Sequence, residues 1–455
     1  VPDVDVLVVG AGPTGLLLAR ELVLAGVDVV VAEQSLGRSG QSRALSLQPR
    51  SAEILDMRGW LEPIAARSLT TLPAGHFGGI PVAYGDLDTS FPYQIGVEQS
   101  IVEEELEAGL DCVRRGHRLV ALDQDGEAVT AVFDVAGERK VVTARFLVGA
   151  DGGHSTVRKL IRADFPGRDG RVSMAVADII TDRPGGGDWE MPSFGTRPTF
   201  GHLIPLRDGK SRVLFAGPEQ QTLARDTPIT VEEVQRALGT EARVRQVCWA
   251  SRFTDASRQV ASYRHSRVFL AGDAAHIHLP IGGQGLNLGL GDAFNLGWKL
   301  AAHLTRGAPD TLLDTYHDER HPVAAATLAS ARAQGVLTIP DEDVAALRAV
   351  VTDLLSDPAA NRRIAEQQAG LTAGRVRDVD LPDGTRLFTR FRAGRPVLLD
   401  TSTRFDHIMS HVDAPGVASP QAVLVRPDGH VGWVGDDPDD LRLAVTAMFG
   451  RVSLH

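Results

Sequence analysis

Three short stretches hold the residues whose types and spacing can do chemistry. The first is "GAGPTG" at 10–15. There Gly10 permits a tight turn, Gly12 lets the backbone approach a pyrophosphate, and Gly15 lets a helix pack closely on a strand. The helix after it offers amides and the positive end of its dipole to that phosphate. Glu33 ends the next apolar run, where an acid can hold ribose hydroxyls. The second stretch, "GADGGHSTVRKL" at 149–160, sets Asp151 and Gly152 after an apolar run, with Ser155 and Arg158 beyond. An acid and glycines at a strand's carboxyl end sit where open α/β sheets bind ligands. A helix N-cap by Asp151 or Ser155 is the alternative reading.

The third stretch, "AGDAAHIHLPIGGQGLNLG" at 271–289, carries Asp273, Pro280, Gly282, Gly283, Gly285 and Asn287. Asp273 ends a buried apolar run, Pro280 fixes the chain direction, and the glycines leave backbone amides bare for something flat and electron-rich. The next helix adds its N-terminal dipole. A nucleotide needs one phosphate cradle. A second, remote cradle implies a long cofactor with another polar end, so the early turn is expected to hold an ADP half and the late one a ribityl chain and a redox ring.

Elements must position these stretches. Residues 4–9 read as a strand, 16–25 as a helix stopped at Gly26, and 28–33 as a second strand, which makes a βαβ unit and an α/β fold. Helices are expected at 51–67, broken at Gly59, and at 98–108. Residues 119–135 alternate like a strand pair, and 141–149 is a strand. Residues 174–217 read as sheet, with a hairpin at Asp208-Gly209. Thr230 caps a helix over 231–238. A long helix at 310–332 is expected to be interrupted near Pro322, and 341–370 is helical and charged. After a linker or short hairpin at 375–394, "RPVLLD", "QAVLVRPDGHVGWVG" and "PDDLRLAVTAMFG" form a small α/β unit.

The bulk numbers narrow the class. A chain of 455 residues is longer than one core usually serves. Net charge of −11, with no Lys/Arg run, argues against a nucleic-acid surface. The two cysteines, Cys112 and Cys248, form no CxxC, which points to a reducing cytoplasm and away from a zinc site. Neither a signal peptide nor a membrane span is read, so a cytoplasmic protein is expected, with no metal, nucleic acid or membrane partner.

In this order and spacing, the three stretches resemble the FAD-dependent aromatic hydroxylases, the class A flavoprotein monooxygenases. "GHFGGIP", "DAFNLGWKLA" and "LLDTYHDERHPV" are similar to bacterial hydroxylases of aromatic polyketides, angucycline-type above all; rifampicin monooxygenases are also similar. The resemblance implies a Rossmann-like FAD-binding domain of the para-hydroxybenzoate-hydroxylase kind, an inserted β-sheet substrate domain and a thioredoxin-like C-terminal domain without CxxC. It divides the chain into 1–173 (with 72–97 joining the substrate side), 174–264, 265–374 and 375–455. It implies FAD contacts by Gly10, Gly12, Pro13, Thr14, Gly15, Glu33, Gln34, Arg43, Gln99 and Asp273. Pro280 would lie beside the isoalloxazine, and Gly283, Gln284, Gly285, Leu286 and Asn287 at its pyrimidine end. Asp151 and Arg158 belong to a motif linked to both FAD and NAD(P)H.

The implied reaction uses NAD(P)H and O₂ to hydroxylate a polycyclic aromatic polyketide through a flavin C4a-hydroperoxide. Baeyer–Villiger or rifampicin-type oxidation, or a non-catalytic flavin-binding redox module, are the alternatives. No Ser/His/Asp arrangement stands out. His202 is the candidate base for a phenol, an ordinary histidine being the competing reading, and packing roles are expected for His276 and His278. Phe77, Trp189, Phe194, Phe200, His202 and Phe215 are the candidate pocket, against ordinary core positions. A homodimer is left open.

Overall fold

A run of apolar residues buried on both faces belongs in the middle of a parallel sheet. Val4–Val9 is such a run and takes the central place in the computed structural model, which describes residues 2–38, 40–182, 200–239, 242–339, 341–381, 383–400, 411–412 and 421–450. Its parallel neighbours are Glu138–Gly149 and Val29–Glu33, and Val268–Leu270 lies beyond the former. Register sets the height at which each strand ends. Val9 pairs with Gly149, and Gly149 pairs with Leu270. All three chemistry-bearing stretches therefore leave the sheet at the same level, from the carboxyl ends of three adjacent strands, where α/β sheets bind ligands. Two helices cover this sheet and pack on one another, Pro13–Leu24 and Gln284–Arg306.

A second sheet is antiparallel, in the spatial order Phe200–Pro205, Ser211–Ala216, Ser173–Thr181, Val244–Thr254. Asp208 and Gly209, both at positive φ, make the expected turn between two of its strands. Its period-2 alternation puts Ala175, Ala177, Ile179, Val213 and Phe215 under the Val231–Leu238 helix, capped by Thr230 as expected. The opposite face carries Met174, Val176, Asp178, Arg212, Leu214 and Trp249.

The C-terminal unit pairs Ala422–Val425 with Val397–Leu399 on one side and Val431–Gly435 on the other, and packs the helix Pro438–Phe449 on the carboxyl half of Gln284–Arg306 through Trp298, Ala302, Leu424, Leu441, Val445 and Phe449. One expectation is corrected: the long helix Thr311–Val336 runs straight through Pro322. Buried Tyr316 on one side and Ala324 and Leu328 on the other hold it by packing, which outweighs the one helical hydrogen bond proline removes. Residues 341–370 divide into Glu342–Leu354 and Pro358–Ala369, with Asp357 capping the second.

Candidate active site

The early turn is dictated by sterics. Gly10 sits at φ +108°, and a Cβ there would overlap the Ala150 carbonyl. A Cβ at Gly15 would overlap the Gly10 carbonyl oxygen and crowd Val8. Gly12 has no heavy atom within 4 Å of its Cβ position, so its surface is open. The helix it starts has no side-chain cap, and Pro13 takes the first position, where a missing N–H costs nothing. Its donors are thus left for a ligand. Glu33 accepts from Ala11 N at 2.9 Å and Ser35 N at 2.8 Å, which holds the acid beside the turn. Gln34 is exposed just beyond it.

The middle stretch favours its alternative reading. Asp151 Oδ1 accepts from Ser155 Oγ at 2.5 Å, and Oδ2 from the amides of Thr156 and Val157 at 2.6 and 3.0 Å. The carboxylate caps the short helix Thr156–Leu160, as the orphan amides of a helix start require. Burial pushes its pKa up against those hydrogen bonds. Arg158 is the joint that the sequence leaves undefined. Its guanidinium donates to Gly153 O at 2.7 Å and Ala274 O at 2.8 Å and stacks over Phe165, tying this stretch to the late one.

The late stretch meets the early one directly. Thr14 Oγ1 lies 2.7 Å from where a Cβ of Gly272 would stand and fills the space over Gly289 as well. Glycine at 272 and 289 leaves room for Thr14 where these elements close together. Asp273, in the short 3-10 turn Gly272–Ala274, is exposed at the crevice, with its Oδ1 4.0 Å from the Cβ position of Gly285. Beneath Asp273, His276 Nε2 is 2.7 Å from Asp292 Oδ2, and Arg320 Nε donates to Oδ1 at 2.8 Å. Burial raises the Asp292 pKa, but Arg320 and His276 outweigh it and hold the acid below its usual value. His276 is fully buried in this contact. His278 has Nδ1 2.7 Å from Leu279 O, and burial lowers its pKa.

The 23-residue helix Gln284–Arg306 starts at Gly283, left-handed at φ +65°, with no side-chain cap. Pro280 is exposed, while Gly283, Gln284, Gly285, Leu286 and Asn287 are half-buried. Asn287 Nδ2 donates to Ser46 O and Gly283 O, and its Oδ1 accepts from Gln48 N. This draws residues 43–48 against the turn. Gln99 fixes the same segment by accepting from Ala44 N at 3.1 Å, and Arg43 stands exposed on it.

The candidate pocket residues divide. Phe215 is fully buried beneath the Val231–Leu238 helix, on the face turned from the crevice; strand alternation makes it core. Phe77 is half-buried between Ile80, Leu337 and Ile364. Trp189 and Phe194 lie outside the described residues. Phe200 and His202 are described by backbone register alone, opposite Ala216 and Leu214. Leu279 and Ile281 pack on Met174 and Phe253, so the face of this sheet opposite the helix meets the late turn. Sequence reading misses Arg212, buried there, which pairs bidentately with Asp178 at 2.7 and 2.9 Å and donates to Arg43 O at 3.3 Å. It also misses Gln48 and Gln334, buried beside Gly282. No periodic signal marks any of them. Among the described residues no metal-ligand cluster occurs, no helix is long and apolar enough to cross a membrane, and Cys112 and Cys248 are free. A cavity of about 240 Å³ between Trp298, Phe449 and Leu24 touches none of the three stretches.

The residues fit FAD: two uncapped helix starts at glycines, two acids at the crevice, and open space over Gly12. The comparisons agree. The FAD binding domain family matches residues 3–331, and the C-terminal family of aromatic-ring hydroxylases matches 367–452. The rifampicin monooxygenase of Streptomyces venezuelae is 41% identical over 488 aligned residues, covering 99% of each chain. The structure of OxyS, an anhydrotetracycline hydroxylase from Streptomyces rimosus, superposes with a TM-score of 0.87 at 38% identity, over 99% of this chain and 100% of that one. CabE, an aromatic hydroxylase from angucycline biosynthesis, gives a TM-score of 0.87 at 35% identity, over 99% and 100%.

Proposed function

The chain belongs to the FAD-dependent aromatic-ring monooxygenases, and from that premise we propose that it hydroxylates a polycyclic phenolic polyketide. The observation that carries the reading is the closure of Thr14 on Gly272 and Gly289, which brings both glycine turns to one crevice. Relatives named for anhydrotetracycline and angucycline support the substrate class. Bound FAD supplies a ring that NAD(P)H reduces and at which O₂ is activated for transfer to an electron-rich carbon.

The chain's own residues bind, orient and exclude water. Gly10, Gly12, Thr14 and Gly15 with the helix start at Pro13 would hold the pyrophosphate, Glu33 the adenosine ribose, and Asp273 a ribityl hydroxyl. Arg43 and Gln99, with Gln34 at the rim, close the same side. Pro280 and the amides of 283–287 face the ring's pyrimidine end, where reduced flavin carries negative charge. Asp151 acts through its helix cap, and Arg158 by holding Ala274 in place. The sheet face that bears Met174, Val176 and Leu214 forms the substrate wall, an inserted substrate domain; His202, in register with Leu214, is the candidate proton acceptor from a phenol. The C-terminal unit is a thioredoxin-like domain with no CxxC, so its role is scaffolding, and two isolated thiols suit a reducing cytoplasm.

The test is NAD(P)H oxidation by the flavin-loaded protein, with and without polyketide phenols, and product mass spectrometry under ¹⁸O₂. Substrate-stimulated oxidation with one labelled oxygen in a ring hydroxyl is expected. A lactone product would move the assignment to Baeyer–Villiger oxidation. Flavin binding without substrate-stimulated turnover would leave only a binding module.

A further inference from the structure

The hairpin made by Ala74–Phe77 and Ile80–Ala83 forms a two-stranded sheet of its own. Among the described residues, strand 74–77 has a ladder partner on one side only. Buried backbone groups on the other side need partners from elsewhere. Three glutamines from three different elements supply them, at alternate residues. Gln94 Nε2 donates to Ala74 O at 2.7 Å, Gln368 Nε2 donates to His76 O at 2.9 Å, and Gln334 Oε1 accepts from Gly78 N at 3.1 Å.

Two of these routes reach Gly282 of the late turn by hydrogen bonds, and the third passes beside it. From Gln94, Gln48 Nε2 donates both to Gln94 Oε1 at 3.1 Å and to Gly282 O at 3.0 Å. From Gln368, the backbone oxygen accepts from Gln284 Nε2 at 3.1 Å, and the same Nε2 donates to Gly282 O at 3.0 Å. Gln334 Oε1 stands 3.6 Å from the Cβ position of Gly282. Gln48, Gln334 and Gln368 are 1%, 1% and 3% exposed, so these bonds do not compete with bulk water. Tyr84 completes the set by donating to Gln48 Oε1 at 3.1 Å.

We propose that Gln48, Gln94, Gln284, Gln334 and Gln368 are positioning residues that join hairpin 74–83 to the turn at Gly282, so that displacement of the hairpin by a bound substrate is transmitted to the turn that cradles the flavin. This rests on the reading of 283–287 as the flavin cradle and of 72–97 as joining the substrate side. Neutral amides suit the task. They fix both segments by direction, leave the charge at the flavin edge to the backbone amides, and do not titrate with pH.

The test is amide hydrogen exchange on the full chain, flavin-free and flavin-loaded, for wild type, Gln334→Leu and Gln368→Leu. Exchange of 75–84 and of 279–287 is expected to rise together by about tenfold, the equivalent of one lost hydrogen bond, while the parallel sheet stays within about twofold. In the loaded variants, the share of NAD(P)H oxidation that ends as H₂O₂ with a polyketide phenol present should rise at least about threefold. If a Leu variant does not fold, Gln94→Met and Gln334→Met carry the same readouts. Hairpin amides that speed up alone, a uniform rise across the sheet, or no change in either segment each overturn the proposal. A wild-type protein that takes up no FAD overturns the functional reading instead, and the flavin-free exchange arm still decides the bridge.

Discussion

The two glycine turns look alike as text and are held in opposite ways. The early turn is shaped by exclusion: a Cβ at Gly10 or Gly15 would overlap backbone carbonyls, which cannot step aside. The late turn is shaped by tethering. Gly282 and Gly283 sit at φ +69° and +65°, but what surrounds them is side chain: Ser46 Oγ, Gln48 Nε2, Gln284 Nε2 and both amide atoms of Gln334. Under the late turn, Asp292 accepts from Gly272 N at 3.1 Å and links His276 to Arg320. One turn is fixed by backbone, its own and that of Ala150, the other by side chains drawn from across the sequence.

Substitutions should separate the two. Gly15→Ala forces a Cβ into the Gly10 carbonyl and is expected to cost about 3 kcal/mol or more, with loss of flavin uptake, read by denaturant melts and flavin fluorescence. Gly12→Ala meets nothing within 4 Å and should leave the melt unchanged, yet weaken FAD binding by about tenfold where the backbone must approach a phosphate. Equal loss of stability in both variants would break the claim that Gly15 is steric and Gly12 is for the ligand. Asp292→Asn removes the charge between Arg320 and His276 and should cost about 3 kcal/mol at pH 7. The folded pKa of Asp292 lies below its reference of 3.8, so its stabilisation is full above that value and lost as pH falls through the folded pKa. The wild type should therefore lose its advantage over Asp292→Asn on acidification below about pH 4.

Gly283→Ala is the gentler counterpart of Gly15→Ala. A non-glycine residue at φ +65° costs about 1–2 kcal/mol, and the Cβ would meet Ser46 Oγ at 2.6 Å, an atom that can rotate away. Adding Ser46→Ala should recover the contact part and leave the backbone part. If Gly283→Ala proves as damaging as Gly15→Ala, the late turn is as rigid as the early one and the contrast fails.

The same contrast explains what the sequence can show. Gly10, Gly12, Gly15 and Glu33 are legible because they stand at the spacing of a strand–turn–helix–strand fingerprint, and the apolar runs at 4–9, 141–149 and 268–270 betray a buried parallel sheet. Asp151 has two readings because text does not distinguish an acid that faces a ligand from one that caps the next helix; in the fold it makes three hydrogen bonds as a cap. Phe215 reads toward the pocket because alternation gives two faces without saying which one a distant helix covers. Gln48, Gln94, Gln334 and Gln368, and the Arg212–Asp178 pair, carry no local signal at all. Their partners are remote along the chain, so only the closed fold assigns them.

Tethering continues down the helix that begins at Gly283. Lys299, fully buried on it, lies 3.2 Å from Glu319 and donates to Asn295 at 2.9 Å. Arg426 and Asp428 of the C-terminal unit close the cluster, with Trp298 donating to Asp428 at 3.1 Å. Burial, against the pull of Glu319, lowers the lysine's pKa from 10.5 to about 8. Below about pH 8 the amine is charged in the folded and the unfolded chain alike, and its burial costs stability in full. Between about 8 and 10.5 the unfolded chain still holds a proton that the folded chain has shed, so this group's contribution rises with pH. Lys299→Met removes that slope. At pH 7 its net effect should lie within about 1 kcal/mol, because an apolar chain of similar length replaces a desolvated charge while Arg426 still neutralises Glu319. Urea midpoints of the two proteins between about pH 7.5 and 9.5 should accordingly converge or cross toward the alkaline end, the wild type gaining relative to the variant. Parallel curves would mean that the lysine does not titrate there, and that the charge cluster holds the C-terminal unit to this helix without straining it.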